Sequence, residues 1–306
     1  MLTDQVLMIR PRWFAFDEET AGSNVFQQRE TGVSPEGLAQ QAREEFDRLA
    51  GALDTAGVVV VVAEDRADVR TPDSVFPNNW LSFHASGHAV LYPMATASRR
   101  VEVRAELIQD VERATGARWS RRVDLTPLAA RGAFVEGTGS LVFDHHTPLA
   151  FACRSARTTD DGLDAVEREL GVETLRFTAR DACGTPYYHT NVMMAVGEDA
   201  AIVCGESIDA AERDAVLSRL GAGGRRLVEI TREQAARFAG NALMLRSRGG
   251  DPLVVMSEQA RAAFTPEQRR VLAETGELVW ADIATIERVG GGSARCMIAE
   301  IHSPDE

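Results

Sequence analysis

The chain predicts an α/β fold in which about five copies of a strand–strand–helix–strand unit close into a ring. Three observations carry this. Paired apolar runs of strand length, split by turn residues, recur with starts roughly 50 to 60 residues apart. A segment of helical periodicity and a further apolar run follow each pair. The first and last apolar runs of the chain lack neighbours of their own, and pairing them removes exposed sheet edges.

In chain order, Gln5-Val6-Leu7-Met8-Ile9-Arg10 is the opening strand, residues 34–53 a helix, and Val58-Val59-Val60-Val61-Val62 the strand after it. The first hairpin leads from Asn78-Asn79 into Trp80-Leu81-Ser82-Phe83, turns at Ala85-Ser86-Gly87 and returns through Ala89-Val90-Leu91. Residues 101–114 put Val103, Leu107 and Val111 on one helical face, and Arg122-Val123-Asp124-Leu125 completes the unit. The second hairpin runs through Ser140-Leu141-Val142-Phe143, turns around His145-His146-Thr147-Pro148 and returns through Leu149-Ala150-Phe151. Thr159-Asp160-Asp161 caps a helix over residues 162–170, with acids where the helix dipole favours them, before Thr174-Leu175-Arg176-Phe177. The third hairpin pairs residues 192–196 with 201–204 and is followed by a helix over 208–220 and Leu227-Val228-Glu229-Ile230. The fourth pairs 242–245 with 253–256, then a helix over 257–274 and Leu278-Val279-Trp280. Gly57, Gly116, Gly171, Gly221 and Gly276 read as C-terminal helix caps. Residues 296–301 form the last strand.

Composition narrows the function classes. At 306 residues and 44% apolar content the chain can bury a full core, and no linker divides residues 1–306, so one domain is expected. No apolar stretch reaches the ~18 residues of a membrane span, and the N-terminus lacks a secretion signal's basic start and apolar middle. A formal charge of −13 argues against nucleic acid or an anionic membrane as partner. Four cysteines without a CxxC pair speak against a zinc site or a disulfide framework. The expectation is a reduced, cytoplasmic protein without a cofactor or bound metal, acting on a small molecule; a homo-oligomer is compatible with it.

The chemistry concentrates where strands begin. Gly290-Gly291-Gly292-Ser293-Ala294-Arg295 precedes Cys296, and glycine lets backbone and ligand approach closely. The hairpins begin with Asn78-Asn79, Glu136-Gly137-Thr138 and His189-Thr190-Asn191. A thiol, an imidazole, a carboxylate and amides at equivalent points of a repeat predict an active site. By contrast, Cys153, Cys183 and Cys204 read as small buried hydrophobes. His145-His146 reads as turn residues, and Arg99-Arg100 and Arg121-Arg122 as solvated surface. An amino-acid substrate needs a cation for its carboxylate, for which Arg131, Arg154 and Arg157 are candidates. Residues 12–32 are long and polar enough to form a lid.

With these motifs the chain resembles the guanidino-group-modifying enzymes, which include arginine deiminases, dimethylarginine hydrolases and amidinotransferases. Met8-Ile9-Arg10-Pro11, Asn24-Val25-Phe26-Gln27 and Phe76-Pro77-Asn78-Asn79-Trp80 are similar to its citrulline-utilisation, or amidinotransferase-like, branch. The resemblance implies a fivefold pseudosymmetric β/α propeller with Cys296 as nucleophile, His189 as general acid/base and Glu136 between them. It implies substrate contacts at Asn79, Asn191, Asn78 and Asn24. Arginine deiminases carry Asp where this chain has Asn79 and Asn191. Paired carboxylates suit a cationic guanidinium, whereas an amide, both donor and acceptor, suits a neutral ureido group.

The expected activity is therefore hydrolysis of citrulline, or of arginine through citrulline, to ornithine with release of ammonia and CO2. Cys296 attacks the central carbon, and His189 protonates the departing nitrogen and then activates water. Glu136 orients the substrate nitrogens and His189. An amidinotransferase or deiminase uses the same residues, and a non-catalytic binding module shares the same fold.

Overall fold

The structure, a computed structural model, describes residues 2–304. It contains five three-stranded sheets. Each places an antiparallel lead strand and a parallel third strand on either side of a middle strand. The opening sheet joins β1 (Gln5–Arg10) to β2 (Val59–Glu64) and to β15 (Ala299–Glu300), so the terminal strands pair as expected, with Val6 opposite Glu300. The other lead strands are β3 (Leu81–Phe83), β6 (Leu141–Phe143), β9 (Met194–Val196) and β12 (Leu243–Arg246). Their middle strands are β4 (His88–Leu91), β7 (Leu149–Cys153), β10 (Ala200–Val203) and β13 (Pro252–Ser257). The third strands are β5 (Arg121–Asp124), β8 (Glu173–Phe177), β11 (Arg226–Glu229) and β14 (Glu277–Ala281).

Burial explains the sequence pattern. Middle strands such as Leu149–Cys153 are buried at every residue and read as unbroken apolar runs. Third strands such as Arg121–Asp124 lie at the half-exposed periphery and carry charge. The helices Pro35–Thr55, Glu106–Thr115, Asp160–Leu170 and Ala210–Leu220 cross between middle and third strands, as a parallel pairing requires. Phe46, Leu49 and Leu53 of the first of them join Val6, Met8, Val255, Cys296 and Met297 in one apolar cluster.

Several expectations need correction. The helix over 257–274 is two helices, Glu258–Ala263 and Pro266–Ala273, because Pro266 supplies no N–H and Thr265 caps the second through a capping box. The helix placed over 101–114 begins at Glu106, after a separate turn at Ala97–Arg100. Gly116 and Gly171 are left-handed caps, but Gly221 is right-handed at φ −81°. Gly276 lies beyond its helix, where a Cβ would stand 2.8 Å from the Pro252 carbonyl oxygen. Residues 296–301 are not one strand: Ala294–Met297 forms a single 3-10 turn, Ala299–Glu300 is the strand, and Ile301 makes an isolated bridge to Phe83. Among the described residues no helix is long and apolar enough to cross a membrane.

Candidate active site

A tight turn stands before each of four lead strands: Pro77–Asn79, Gly137–Ser140, Thr190–Val192 and Ala294–Met297. All four are buried throughout. Polar side chains placed there lose water and must satisfy one another. Glycines make the convergence sterically feasible. Gly137 adopts φ +47°, and a Cβ on it would fall 2.2 Å from the Asn78 carbonyl oxygen. A Cβ on Gly139 would lie 2.6 Å from both Asn79 Nδ2 and His189 Nδ1. In the glycine run, Gly290 and Gly292 pack on the Phe76 ring and Gly291 on Asn24 and Gln27.

His189 Nε2 and Glu136 Oε2 are 2.8 Å apart, both fully buried. The other Glu136 oxygen accepts the Ala95 N–H at 2.9 Å, and Arg157 Nη1 stands 3.5 Å from the shared one. Burial alone would raise this carboxyl, but Arg157, the His189 hydrogen bond and Arg99 outweigh it and hold its pKa at about 2. An ionised carboxylate only accepts, so the imidazole proton sits on Nε2 and Nδ1 keeps its lone pair. Burial, aided by Arg157 and Arg99, lowers His189 to about 4 despite its acidic partner. The ring is neutral at pH 7.

Cys296 is 3% exposed. Asn241 Nδ2 approaches its sulfur at 3.3 Å and Asn191 Nδ2 at 3.6 Å. Burial pushes the thiol up from its ordinary value, and the hydrogen bonds of these amides pull the other way. Cys296, His189, Asn79 and Asn24 line one small cavity of about 10 Å³, with Asp73, Arg99, Arg157, Tyr188 and the three glycines. That is room for about one water molecule.

The expected residues thus fall into two shells of contact. Asn191 touches the sulfur, whereas Glu136 stands behind His189 with both oxygens engaged. Asn78 stands behind Asn79: Asn79 Nδ2 donates to Asn78 Oδ1 at 2.9 Å, and Asn78 Nδ2 to Thr138 Oγ1 at 3.2 Å. Asn79 Oδ1 in turn accepts from Arg99 Nη1 at 2.6 Å. Of residues 12–32, Asn24 lines the cavity and its Nδ2 donates to the Gly291 carbonyl at 3.1 Å, while Gln27 Nε2 donates to that of Gly290 at 3.0 Å. Of the candidate arginines, Arg131 is exposed and Arg154 pairs with Asp160 at 3.0 Å on the surface. Arg157 is at the site, its Nη2 donating to the Thr20 carbonyl at 2.9 Å and its guanidinium over the Tyr188 ring.

Arg99 departs most from the sequence expectation of a solvated surface residue. It is 2% exposed, pairs with Glu102 at 2.8 Å and also donates to the carbonyls of Asp73 and Phe76. The Glu102 partner three residues on was the available signal. Asn241 was missed although it follows Gly240 at the start of the fourth hairpin, the repeat position of the other polar residues. A Cβ on Gly240 would lie 2.5 Å from the Val192 carbonyl oxygen, so this turn too depends on glycine. Asp73, raised to about 6 by burial and bonded by Thr20 Oγ1 at 3.0 Å, carried no signal in the sequence. Cys183, expected to be buried, is exposed, while Cys153 and Cys204 are buried. His145 and His146 each place Nε2 on a backbone carbonyl oxygen, of Val196 and Glu198.

A family model described as N,N dimethylarginine dimethylhydrolase, eukaryotic, matches residues 10–303. No curated protein matches the chain. Among solved structures, ArgZ, an arginine dihydrolase from the ornithine-ammonia cycle in cyanobacteria, is similar at TM-score 0.75 and 18% identity, over 99% of this chain and 41% of that one. Its substrate-bound N-terminal domain gives TM-score 0.74 at 17% identity, with 98% of each chain covered. A dimethylarginine dimethylaminohydrolase adduct with S-methyl-L-thiocitrulline gives 0.65 at 17% identity, over 98% of this chain and all of that one (100%). The chain therefore spans less than half the length of full ArgZ.

Proposed function

The chain belongs to the N,N-dimethylarginine dimethylhydrolase family of guanidino-group-modifying hydrolases, and we propose that it carries arginine, through citrulline, to ornithine. The proposal also takes the five sheets to be the blades of one closed β/α propeller, which brings the lead-in turns to a common axis.

The observation that carries the substrate assignment is the sparse negative charge of the cavity. Asp73 is the one carboxylate among its lining residues. Asn79 and Asn24 provide amides, and Asn191 and Asn241 reach the sulfur. A single carboxylate with a pKa of about 6 pairs with a guanidinium when ionised and tolerates a neutral ureido group when protonated. With its oxygen held by Arg99 and one N–H by Asn78, Asn79 keeps one amide N–H to donate, which suits the carbonyl of a ureido group.

In the proposed reaction Cys296 adds to the central guanidino carbon, and its proton passes to the free Nδ1 of His189. That proton then goes to the departing terminal nitrogen, which leaves as ammonia. Water, deprotonated by the same ring, displaces the thiolate and releases citrulline. A second cycle expels the other terminal nitrogen and leaves a thiocarbamate on Cys296. Its hydrolysis gives the N-carboxylate of ornithine, which loses CO2. Arginine and two waters thus become ornithine, two ammonia and CO2. Glu136 is a positioning residue that fixes the His189 tautomer, and its contact with substrate nitrogens gives way to this role. Asn241 and Asn191 donate to the sulfur as it becomes anionic. Arg157 remains the best-placed candidate for the substrate carboxylate, and residues 12–32 the lid that opens to admit the substrate.

A second reading, hydrolysis of N-methylated arginine at the same cysteine, is favoured by the description of the matching family. The deciding experiment incubates purified protein with arginine, citrulline or dimethylarginine and quantifies ornithine, citrulline, ammonia and methylamines. Ornithine from both arginine and citrulline supports the dihydrolase. Citrulline accumulating from arginine makes it a deiminase, and dimethylamine from dimethylarginine establishes the second reading.

A further inference from the structure

The lead strands begin at the site just described; the residues beyond their far ends surround a second and larger cavity of about 600 Å³. His84 directly follows β3, His145 stands two residues past β6 and His302 two residues past β15, and all three line it. Half of the chain's six histidines thus gather at matching points of three sheets. The volume lies in the range of about 300–1,000 Å³ typical of small-molecule sites.

The wall is built rather than incidental. His84 Nε2 is 2.7 Å from Ser82 Oγ and His145 Nε2 is 3.2 Å from the Val196 carbonyl oxygen, while neither Nδ1 has a partner among the described residues. His302 Nε2 stands 3.8 Å from Glu300. The wall's acids are already matched: Glu300 accepts from Arg295 at 2.6 Å, and Asp144 faces Arg225 at 3.0 Å. Asp4, at the mouth, is partly exposed. With its Nε2–H given to a carbonyl oxygen, the neutral His145 ring keeps a lone pair on Nδ1, which becomes a donor to an anion when the ring takes up a proton on binding. Phe83, Val142, Phe143 and Met194 supply apolar wall between the polar groups, which suits an acid with a hydrocarbon body.

The geometry points to a second, non-catalytic binding site in this cavity for a small carboxylate anion, seated by His84, His145 and His302 and coupled to Cys296 through Arg295. The coupling route is short. Arg295 lines the cavity and shares the Ala294–Met297 turn with Cys296. Its N–H donates at 3.1 Å to Asn241 Oδ1, the side chain whose amide touches the sulfur. Thr138 also lines the cavity and holds Asn78.

Burial, with His302 and His88 nearby, lowers His84 to about 3. Burial lowers His145 to about 4 even though Glu300 and Glu198 oppose it. Both rings are therefore neutral at pH 7, and an entering anion reverses the balance by favouring their charged forms. Binding takes up protons and strengthens as pH falls.

The test titrates succinate into the Cys296→Ala protein by calorimetry at pH 6 and pH 8, with and without arginine. The expected result is one saturable site, at least tenfold tighter at pH 6 and not displaced by arginine. In a His84→Gln/His302→Gln variant with an unchanged melting curve, binding weakens at least tenfold. Succinate also alters the turnover of wild-type enzyme and not of this variant. Imidazole carbon shifts of the unmutated histidines, followed by NMR, move toward the imidazolium position on addition of succinate. Absence of saturable binding, displacement by arginine, unmoved imidazole signals, or preferential capture of Zn²⁺ that excludes succinate would each overturn the assignment.

Discussion

The turns before β3 and β9 share one shape and carry opposite electrical loads. Each is a single 3-10 turn of three buried residues. Behind Asn79 stands the Arg99 guanidinium, itself held by Glu102; behind His189 stands the Glu136 carboxylate, itself held by Arg157. The cation-backed turn presents an amide whose acceptor is already spent. The anion-backed turn presents a base with a free lone pair. Equal backbones thus acquire different chemistry from the charge buried one layer behind them, where low dielectric makes that charge count.

The bluntest way to break the comparison removes the sulfur beside both turns. Cys296→Ala is expected to reduce ornithine formation to background while the melting curve stays close to wild type, as quenched-flow or endpoint ornithine assays will show. Wild-type-like turnover in that variant would sink the covalent mechanism.

Next comes the charge behind β9. Glu136→Gln should lower kcat by roughly 10²- to 10⁴-fold, the usual contribution of a positioned acid–base group, with less change in KM. It should also alter acid stability with a definite sign. The folded pKa of Glu136 is about 2 against an ordinary 4.5, so its stabilisation is present above pH 4.5 and lost as pH falls toward 2. Acid titration monitored by circular dichroism should lose that component in the variant.

Gly139→Ala sharpens the contact between the two turns. The new methyl must displace Asn79 or the His189 ring, and a shift approaching 1 Å costs on the order of 10² in kcat. A rate within twofold of wild type would show that the turns have more slack than their spacing indicates.

Asn241→Ala addresses the sulfur alone. Loss of one donor should cost roughly tenfold in kcat/KM at pH 7, in keeping with a hydrogen bond to a charged group of about 1.5 kcal/mol or more. Because the thiol is already raised, kcat/KM should climb with pH through the alkaline range, and this variant should move the limb further up. In the bound state cationic arginine lowers the thiol pKa more than neutral citrulline does, so the kcat profile with arginine should lie at lower pH. Identical profiles for the two substrates would contradict that.

The smallest effect belongs to the periphery. Arg154→Ala removes an exposed pair with Asp160 and should change stability by no more than about 0.5 kcal/mol and leave KM for arginine unaltered, measured by urea unfolding and steady-state kinetics.

Sequence alone determined the repeat, because strand pairs buried on both faces must be written as unbroken apolar runs and turns need glycine or polar residues. It also marked Cys296, His189, Glu136 and the asparagines, since polar residues at the head of apolar strands stand out against their surroundings. It placed Pro266 inside a helical pattern without making the break explicit, although a missing N–H enforces one. Only the tertiary structure decided which of these residues touch and which stand behind. Arg99 was legible as a charged residue but not as a buried one, because its burial depends, besides Glu102 beside it, on Asn79 and two carbonyls that residues 73–79 bring to it. Asp73 and the contacts of residues 12–32 depend likewise on partners up to 267 positions apart in sequence. Periodicity is a local property and survives in one dimension; whether a charge pair such as Arg99–Glu102 is buried is a property of three-dimensional proximity, which its spacing along the chain does not encode.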